Sequence, residues 1–365
     1  MPKNANKPKI LFLADQLDLP ETRLAIELHR RKYKLEVVLS ANSEKSAIFS
    51  EAGIPTHTIK IHHRFDLRAA QKIRQIINRS KISLVHCFSA KALSVALIAI
   101  RRLKQIKLTA YRGVVGGLSR LDPAARLSFL HPRISGIIAV AEAVRESLIA
   151  LKVPSAKIKT VYKGHCAEWY LPSYAREIWS AFGINRNTLI IQCTANVRAN
   201  KGIDLLIEAV HNQPQLSLVL VGTLSQKNLI KKIKRANQRL KNIFHLGYRE
   251  DAAKLAGAAD VITLTSRKKE GLPKSIIEGM VQGVPAVVTA VGGMRELVEN
   301  NISGIVVEEN TSSKLREIFL KLACDDELRK RLGNEARQRI LSKFSFEETV
   351  IQTELFFERI LNDNR

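Results

Sequence analysis

The chain has 365 residues, 45% of them hydrophobic and 25% charged, which excludes a disordered chain and leaves room for two ordinary globular domains. Its longest uncharged apolar run, residues 92–100, is far short of the roughly 20 residues that cross a bilayer. Net charge is +25: residues 1–175 hold 30 Lys+Arg against 12 Asp+Glu, and the remainder 29 against 22, so the first half carries +18 and the second +7. An excess of this size and placement suits a phosphate-rich partner: nucleic acid, anionic headgroups or a phosphorylated glycolipid. A solubilising surface is the plainer alternative. The first nine residues have no apolar stretch behind their charges, so a secretion signal is not expected. Cys87, Cys166, Cys193 and Cys324 lack metal-ligand spacing and read as free thiols of a reducing cytosol.

Short apolar runs alternate with helical patterns from the start. Strands are expected at 9–14, 36–40, 56–61, 84–88, 107–110 and 137–140, and helices at 22–33, 48–53, 67–80 (basic and amphipathic) and 90–102. That alternation predicts a doubly wound parallel sheet. Residues 170–187, proline-punctuated and aromatic-containing, read as a domain connection. A second alternation follows, with strands at 189–195, 216–222, 243–246, 261–264, 285–290 and 305–307. Helices are expected between them at 203–211, 225–240, 252–258 and 273–282, then at 313–323, 327–341 and 346–361. No repeat or low-complexity tract interrupts the pattern. Two such sheets in tandem would put a cleft between them.

Residues 260–293, DVITLTSRKKEGLPKSIIEGMVQGVPAVVTAVGG, concentrate the chemistry. A strand, a loop at 265–272, a helix opened by Pro273 and a second strand make a parallel crossover. In such sheets ligands sit where the carboxyl ends of strands meet helix N-termini. Glu270 lies in the loop and Glu278 in the helix, seven residues between them, and Gly271 lets backbone approach a ligand. A loop carboxylate beside free helix N–H groups is placed to accept hydrogen bonds from sugar hydroxyls. Upstream, IIQCTANVRANKGIDLLIEAV sets Arg198 and Lys201 at a helix start, a pairing of cations and N–H groups that suits a diphosphate.

The stretch resembles the E-x7-E signature of the family 4 glycosyltransferases, retaining enzymes of the two-domain GT-B fold. Glu270, Gly271, Glu278, Met280, Gly283, Pro285, Val287, Val288, Gly292 and Gly293 all match it. Lys201 and Gly202 match the family's Lys-Gly. The family's arginine falls on Asn196, and this chain offers Arg198 two residues later. The resemblance implies that Lys201 and Arg198 hold the donor diphosphate, Glu270 the donor sugar and Glu278 the ribose. Gly202, Gly222, Gly271, Leu272, Pro273 and Lys274 would line the donor pocket, Lys274 pairing with Glu278 or touching phosphate. Tyr248 either stacks on the base or caps a strand.

The first half departs further. The loop at 15–20 lacks the family's glycines, so no phosphate cradle is expected there. Arg112 replaces the family's histidine, with Gly113 matching. It either binds donor phosphate or an acidic acceptor, or forms a buried ion pair. His86 is an acceptor contact or a hydrogen-bonded core histidine. Lys163 and His165, around Gly164, are further acceptor-binding candidates.

Together these imply an α/β chain of GT-B architecture: two Rossmann-like doubly wound domains facing a cleft, over 1–170 (acceptor) and 171–345 (donor). The helix at 346–365 would cross back to the first domain. The implied activity is a metal-independent, retaining hexosyl transfer from a UDP- or GDP-sugar co-substrate, with no other cofactor. An anionic acceptor such as lipopolysaccharide core or another lipid-linked envelope glycan fits the basic first half. The expected location is cytoplasmic, peripheral on the inner face of the membrane, without nucleic acid as a partner. The alternatives are a GT-B nucleotide-sugar epimerase, which needs no acceptor, and a basic nucleic-acid-binding protein, for which the chain shows no recognition motif.

Overall fold

The computed structural model describes residues 8–40, 45–171, 173–196 and 199–363. The chain divides into two compact units. One runs through Lys163 and is joined by the segment from Phe346; the other is Gly164–Ser345. The division thus falls at Lys163/Gly164 and not near Tyr170, because residues 164–171 pack with the second unit.

The first unit is built on seven strands: β1 (Lys9–Leu13), β2 (Lys34–Leu39), β3 (Thr56–Thr58), β4 (Leu84–Cys87), β5 (Lys107–Arg112), β6 (Gly136–Ala139) and β7 (Ile158–Thr160). They pair in parallel in the order β3-β2-β1-β4-β5-β6-β7. Parallel sheets are covered on both faces, which is why their strands read as nearly continuous Ile, Leu and Val. β7 has only three residues, one of them buried, too few to signal itself in sequence. Helix α1 (Leu19–Arg30) starts three residues ahead of its expected place, since Pro20 in its first turn costs no hydrogen bond. Helix α2 (Leu67–Ser80) is capped by Asp66, whose carboxylate accepts from the Ala69 N–H.

Across the division, the second unit has β8 (Leu189–Thr194), β9 (Leu216–Val221), β10 (Ile243–His245), β11 (Val261–Leu264), β12 (Ala286–Thr289) and β13 (Gly304–Val307). These too are parallel, in the order β10-β9-β8-β11-β12-β13. Two of its helices matter below, α3 (Ile203–Val210) and α4 (Lys274–Met280). α4 is shorter than expected: Pro273 is its cap and the chain turns out before Gly283, which has φ +84°.

The terminal helix α5 (Phe346–Asn362) belongs to the first unit. Phe356, Phe357 and Ile360 are buried in that unit's core with Phe12 and Leu84. A Cβ on Gly136 would come within 2.7 Å of Ile360 and 2.8 Å of Phe356, so glycine in β6 is what lets α5 lie so close. Arg31, at the end of α1, fixes the other side: it donates to Glu347 at 2.6 Å and Glu354 at 2.9 Å. Burying each such phenylalanine contributes about 2–3 kcal/mol. The four cysteines are free. Among the described residues no helix is long and apolar enough to cross a membrane.

Candidate active site

In the second sheet, chain order reverses between β8 and β11, its neighbours in the middle of the sheet. Their carboxyl ends splay the connecting loops apart at such a switch point and leave a crevice. A cavity of about 590 Å³ opens there, lined by Thr194, Asn196, Asn200 and Lys201 beyond β8 and by Glu270, Pro273, Lys274, Ser275 and Glu278 around α4. Val221 and Gly222 at the end of β9, with Tyr248, Arg249 and Glu250, complete the lining.

Two glycines keep this corner tight. A Cβ at Gly222 (φ +134°) would stand 2.0 Å from the Ala195 carbonyl oxygen. One at Gly202 (φ +66°) would stand 2.1 Å from that of Thr265. Both positions exclude any side chain on steric and backbone grounds together. Thr265 donates to the Gly202 carbonyl at 3.0 Å, and the Arg267 N–H donates to the Asn200 carbonyl at 2.8 Å. Arg267 also grips Asp204 in α3 through two bonds of 2.8 and 2.6 Å. The loop after β11 is thereby tied to the loop after β8, and Lys269 (φ +67°) turns the chain so that Glu270 points back into the corner.

Glu270 is only 6% exposed. Lys201 Nζ donates to its Oε1 at 2.6 Å and Ser266 Oγ to the same oxygen at 2.5 Å. Both donors converge on Oε1, and Oε2 accepts from neither. A buried carboxylate held this way keeps a fixed orientation and a compensated charge. Glu278, 8% exposed, lies on the inner face of α4 with Lys274 Nζ 3.8 Å from its Oε1. Of the two roles open to Lys274, the structure therefore shows the ion pair. Tyr248 is 74% exposed at the rim. Arg249 is held by Asp251 through two bonds of 2.8 Å, and Tyr174 donates to the same carboxylate at 3.1 Å.

The cavity gathers Lys201, Gly222, Tyr248, Glu270, Pro273, Lys274 and Glu278 from the sequence expectations, while Gly202, packed against Thr265, and the buried Gly271 and Leu272 are not in its lining. Arg198 lies outside the described residues. Sequence reasoning missed Ser266, four residues ahead of Glu270; a hydroxyl one position past a strand-end threonine was the available signal. Among the described residues no group of three or more His, Cys, Asp or Glu side chains is placed to hold a metal ion.

The first-unit candidates fare differently. His86 is a core histidine: Nδ1 lies 2.9 Å from Thr109 Oγ1, and the rings of Phe88 and Phe357 stand 4.7 and 5.2 Å away. Burial lowers its pKa from 6.5 to about 3, so the imidazole is neutral. Lys163 is already engaged, 2.8 Å from Glu21 and 3.0 Å from Asp18. Burial opposes its charge, but Tyr111, Glu21 and Asp18 outweigh that and raise its pKa. His165 is buried too, beside Tyr170 and Trp169, its Nδ1 bonded to the Tyr170 hydroxyl. Packing or pairing engages each of these side chains, and of the two readings of His86 the structure shows the hydrogen-bonded core histidine. Arg112 is buried and, among the described residues, is not in an ion pair. It donates to the Gly116 carbonyl, lies over Phe129 with Cζ 4.9 Å from the ring centroid, and leaves a buried Nε without a partner. Burial lowers its pKa. Gly113 follows it; a Cβ there would make ordinary contact with Tyr111 at 3.7 Å, so the glycine answers no steric demand.

Two doubly wound parallel sheets with an ionic cavity at the second switch point define the GT-B class of glycosyltransferase fold. HepE of Anabaena, solved with UDP, superposes with a TM-score of 0.81 at 22% identity, over 96% of this chain and all of that one. Residues 176–339 match the model "Glycosyl transferases group 1" and residues 22–168 match "Glycosyltransferase Family 4". The chain belongs to the family 4 glycosyltransferases. Among curated relatives, the N-acetyl-alpha-D-glucosaminyl L-malate synthase of Bacillus anthracis is 22% identical over 87% of this chain and 85% of its own. The UDP-Gal:alpha-D-GlcNAc-diphosphoundecaprenol alpha-1,3-galactosyltransferase of Escherichia coli is 22% identical over 85% and 84%.

Proposed function

We propose that the protein transfers a hexosyl group, with retention and without a metal, from a UDP-sugar to an anionic, lipid-linked acceptor of the cell envelope such as lipopolysaccharide core. The observation that carries the donor half is the convergence of Lys201 and Ser266 on one oxygen of Glu270 inside a cavity that also holds Glu278. A diphosphate entering that cavity competes with Glu270 for Lys201. The ammonium then neutralises the leaving group, and Glu270, still oriented by Ser266, accepts from sugar hydroxyls. Arg198 is the second diphosphate cation of this reading, and Glu278 takes the ribose. Attack comes from the face the diphosphate leaves, with a donor phosphate oxygen taking the acceptor hydroxyl's proton, so no side-chain nucleophile is needed. Uridine over guanosine is favoured by the UDP held in HepE.

For the acceptor, support comes from the first half's charge of +18, the partnerless buried Nε of Arg112, and the lipid diphosphate acceptor named for the Escherichia coli relative. Peripheral attachment to the inner membrane face follows from the same charge. A thermal-shift panel of UDP-, GDP-, ADP- and TDP-sugars tests the donor, since a ligand of the folded state raises its melting point by mass action. One UDP-sugar should stabilise the wild type and lose its effect in Lys201→Ala and Glu270→Ala. No response to any of the four would overturn the assignment.

A further inference from the structure

We infer that the open edge of the first sheet accepts an extended acidic segment of a partner protein, laid as one more strand between β3 and α2. β3 ends the sheet order on one side and pairs with β2 alone. The Val37 N–H donates to the Pro55 carbonyl and the Ile59 N–H to the Leu39 carbonyl, each at 2.9 Å, so residues 55, 57 and 59 turn their backbone groups toward β2. In a parallel ladder the residues between them face the other way. Thr56 and Thr58 therefore present their N–H and C=O groups to the open side. Pro55 lacks a donor only on the side that β2 covers. An uncovered row of this kind is a template for another strand.

Beside that edge lies a groove of about 810 Å³, and its far wall is α2. Lys72, Gln75, Ile76 and Arg79 line it at the i, i+3, i+4 and i+7 spacing of one helix face, with Pro55 and Ile59 as apolar neighbours from the strand side. An edge strand and a second wall across a groove are the parts that strand addition needs: backbone bonds supply affinity and the side chains supply choice. Here the wall's charge makes the choice. α2 carries Arg68, Lys72, Arg74 and Arg79 and no acid. Lys72 and Arg79 are exposed and, among the described residues, in no ion pair. Glu36, the acid in the lining, is already engaged, with His57 Nε2 at 2.7 Å and Lys9 Nζ at 3.8 Å from its carboxylate. A second copy of this chain would bring another α2 to the groove, cation against cation. Nucleic acid or a lipid surface would use the cations and leave the outward carbonyls unmatched. An acidic chain in extended form satisfies both.

The test is fluorescence anisotropy of the full chain with a labelled peptide alternating glutamate with valine, beside its lysine–valine counterpart, together with amide hydrogen exchange. The glutamate peptide should bind and the lysine peptide should not, and the Thr56 and Thr58 amides should gain protection in the complex. Lys72→Glu/Arg79→Glu should weaken binding about tenfold or more. Thr58→Pro should do the same, since it removes an outward N–H that the sheet itself does not use. Both variants should melt as the wild type does; if Thr58→Pro does not, Thr56→Pro at the other outward N–H replaces it. Binding that survives the proline, or amides that gain no protection, would reduce the groove to a charged surface and overturn the inference. So would a wild type that ignores the glutamate peptide, whether or not it binds polyuridylate or phosphatidylglycerol vesicles.

Discussion

In the first unit the strands on either side of the topological switch, β1 and β4, lead into Asp15 and Ser89; in the second, β8 and β11 lead into Ala195 and Thr265. The backbone plan is shared, yet the side chains at the two points are opposite in kind. At the first, Ser89 donates to Asp15 at 3.1 Å and Lys91 stands 3.0 Å from the same carboxylate, a cluster whose charges are paired with one another. At the second, Gly202 and Gly222 hold backbone against backbone, and Lys201, Lys274, Ser275, Glu270 and Glu278 face a cavity. Parallel topology supplies a place for a ligand; the residues at the strand ends decide whether the place is used.

That contrast can be attacked in order of expected effect. Glu270→Gln removes a charge from the second switch point while keeping its shape, and should cut sugar transfer about 10³-fold, near 4 kcal/mol, with the melting point little changed. Steady-state transfer assays check it, and a variant as active as wild type would move the chemistry elsewhere. Lys163→Met attacks the first unit's buried pairing. Glu21 then stays buried without its cation, and stability should fall by about 3–5 kcal/mol in urea denaturation of the first unit.

Third comes the titration of His86. Its folded pKa lies below its unfolded one, 3 against 6.5, so in that window the unfolded chain binds the extra proton. The stabilisation is whole above pH 6.5 and drains away as pH falls toward 3. From pH 7 to pH 5 the loss amounts to about 2 kcal/mol, and His86→Gln should flatten that slope when melting is followed against pH. The smallest effect is at the rim: Tyr248→Ala should weaken UDP binding by tenfold or less by calorimetry, about 1 kcal/mol of stacking. An unchanged Kd would leave Tyr248 as a strand-end residue only.

The second unit's cavity was legible in sequence because its parts are local. Strand, loop, proline-capped helix and glycine follow one another within residues 261–283, and Glu270 and Glu278 share one crossover. The surroundings of the first unit's candidates were not. Whether Lys163 is available depends on Asp18, 145 residues away, and His86 is claimed by Thr109 and Phe357. Polar residues at strand ends look alike in a string of letters, and only the fold reveals which have partners. The helix Glu142–Ala150 escaped notice for a related reason: it buries just Val144 and Leu148, too thin a stripe to read.

The return of α5 to the first unit has a consequence for how the protein is made. Phe356, Phe357 and Ile360 complete a core whose other members begin at Ile10, and all of Gly164–Ser345 is synthesised between them. During translation the second unit therefore has its whole sequence outside the ribosome before the first can close. Until then the growing chain shows an open apolar groove against α1 and β6, with the glycine at 136 uncovered. Order of synthesis and order of completion run in opposite directions here.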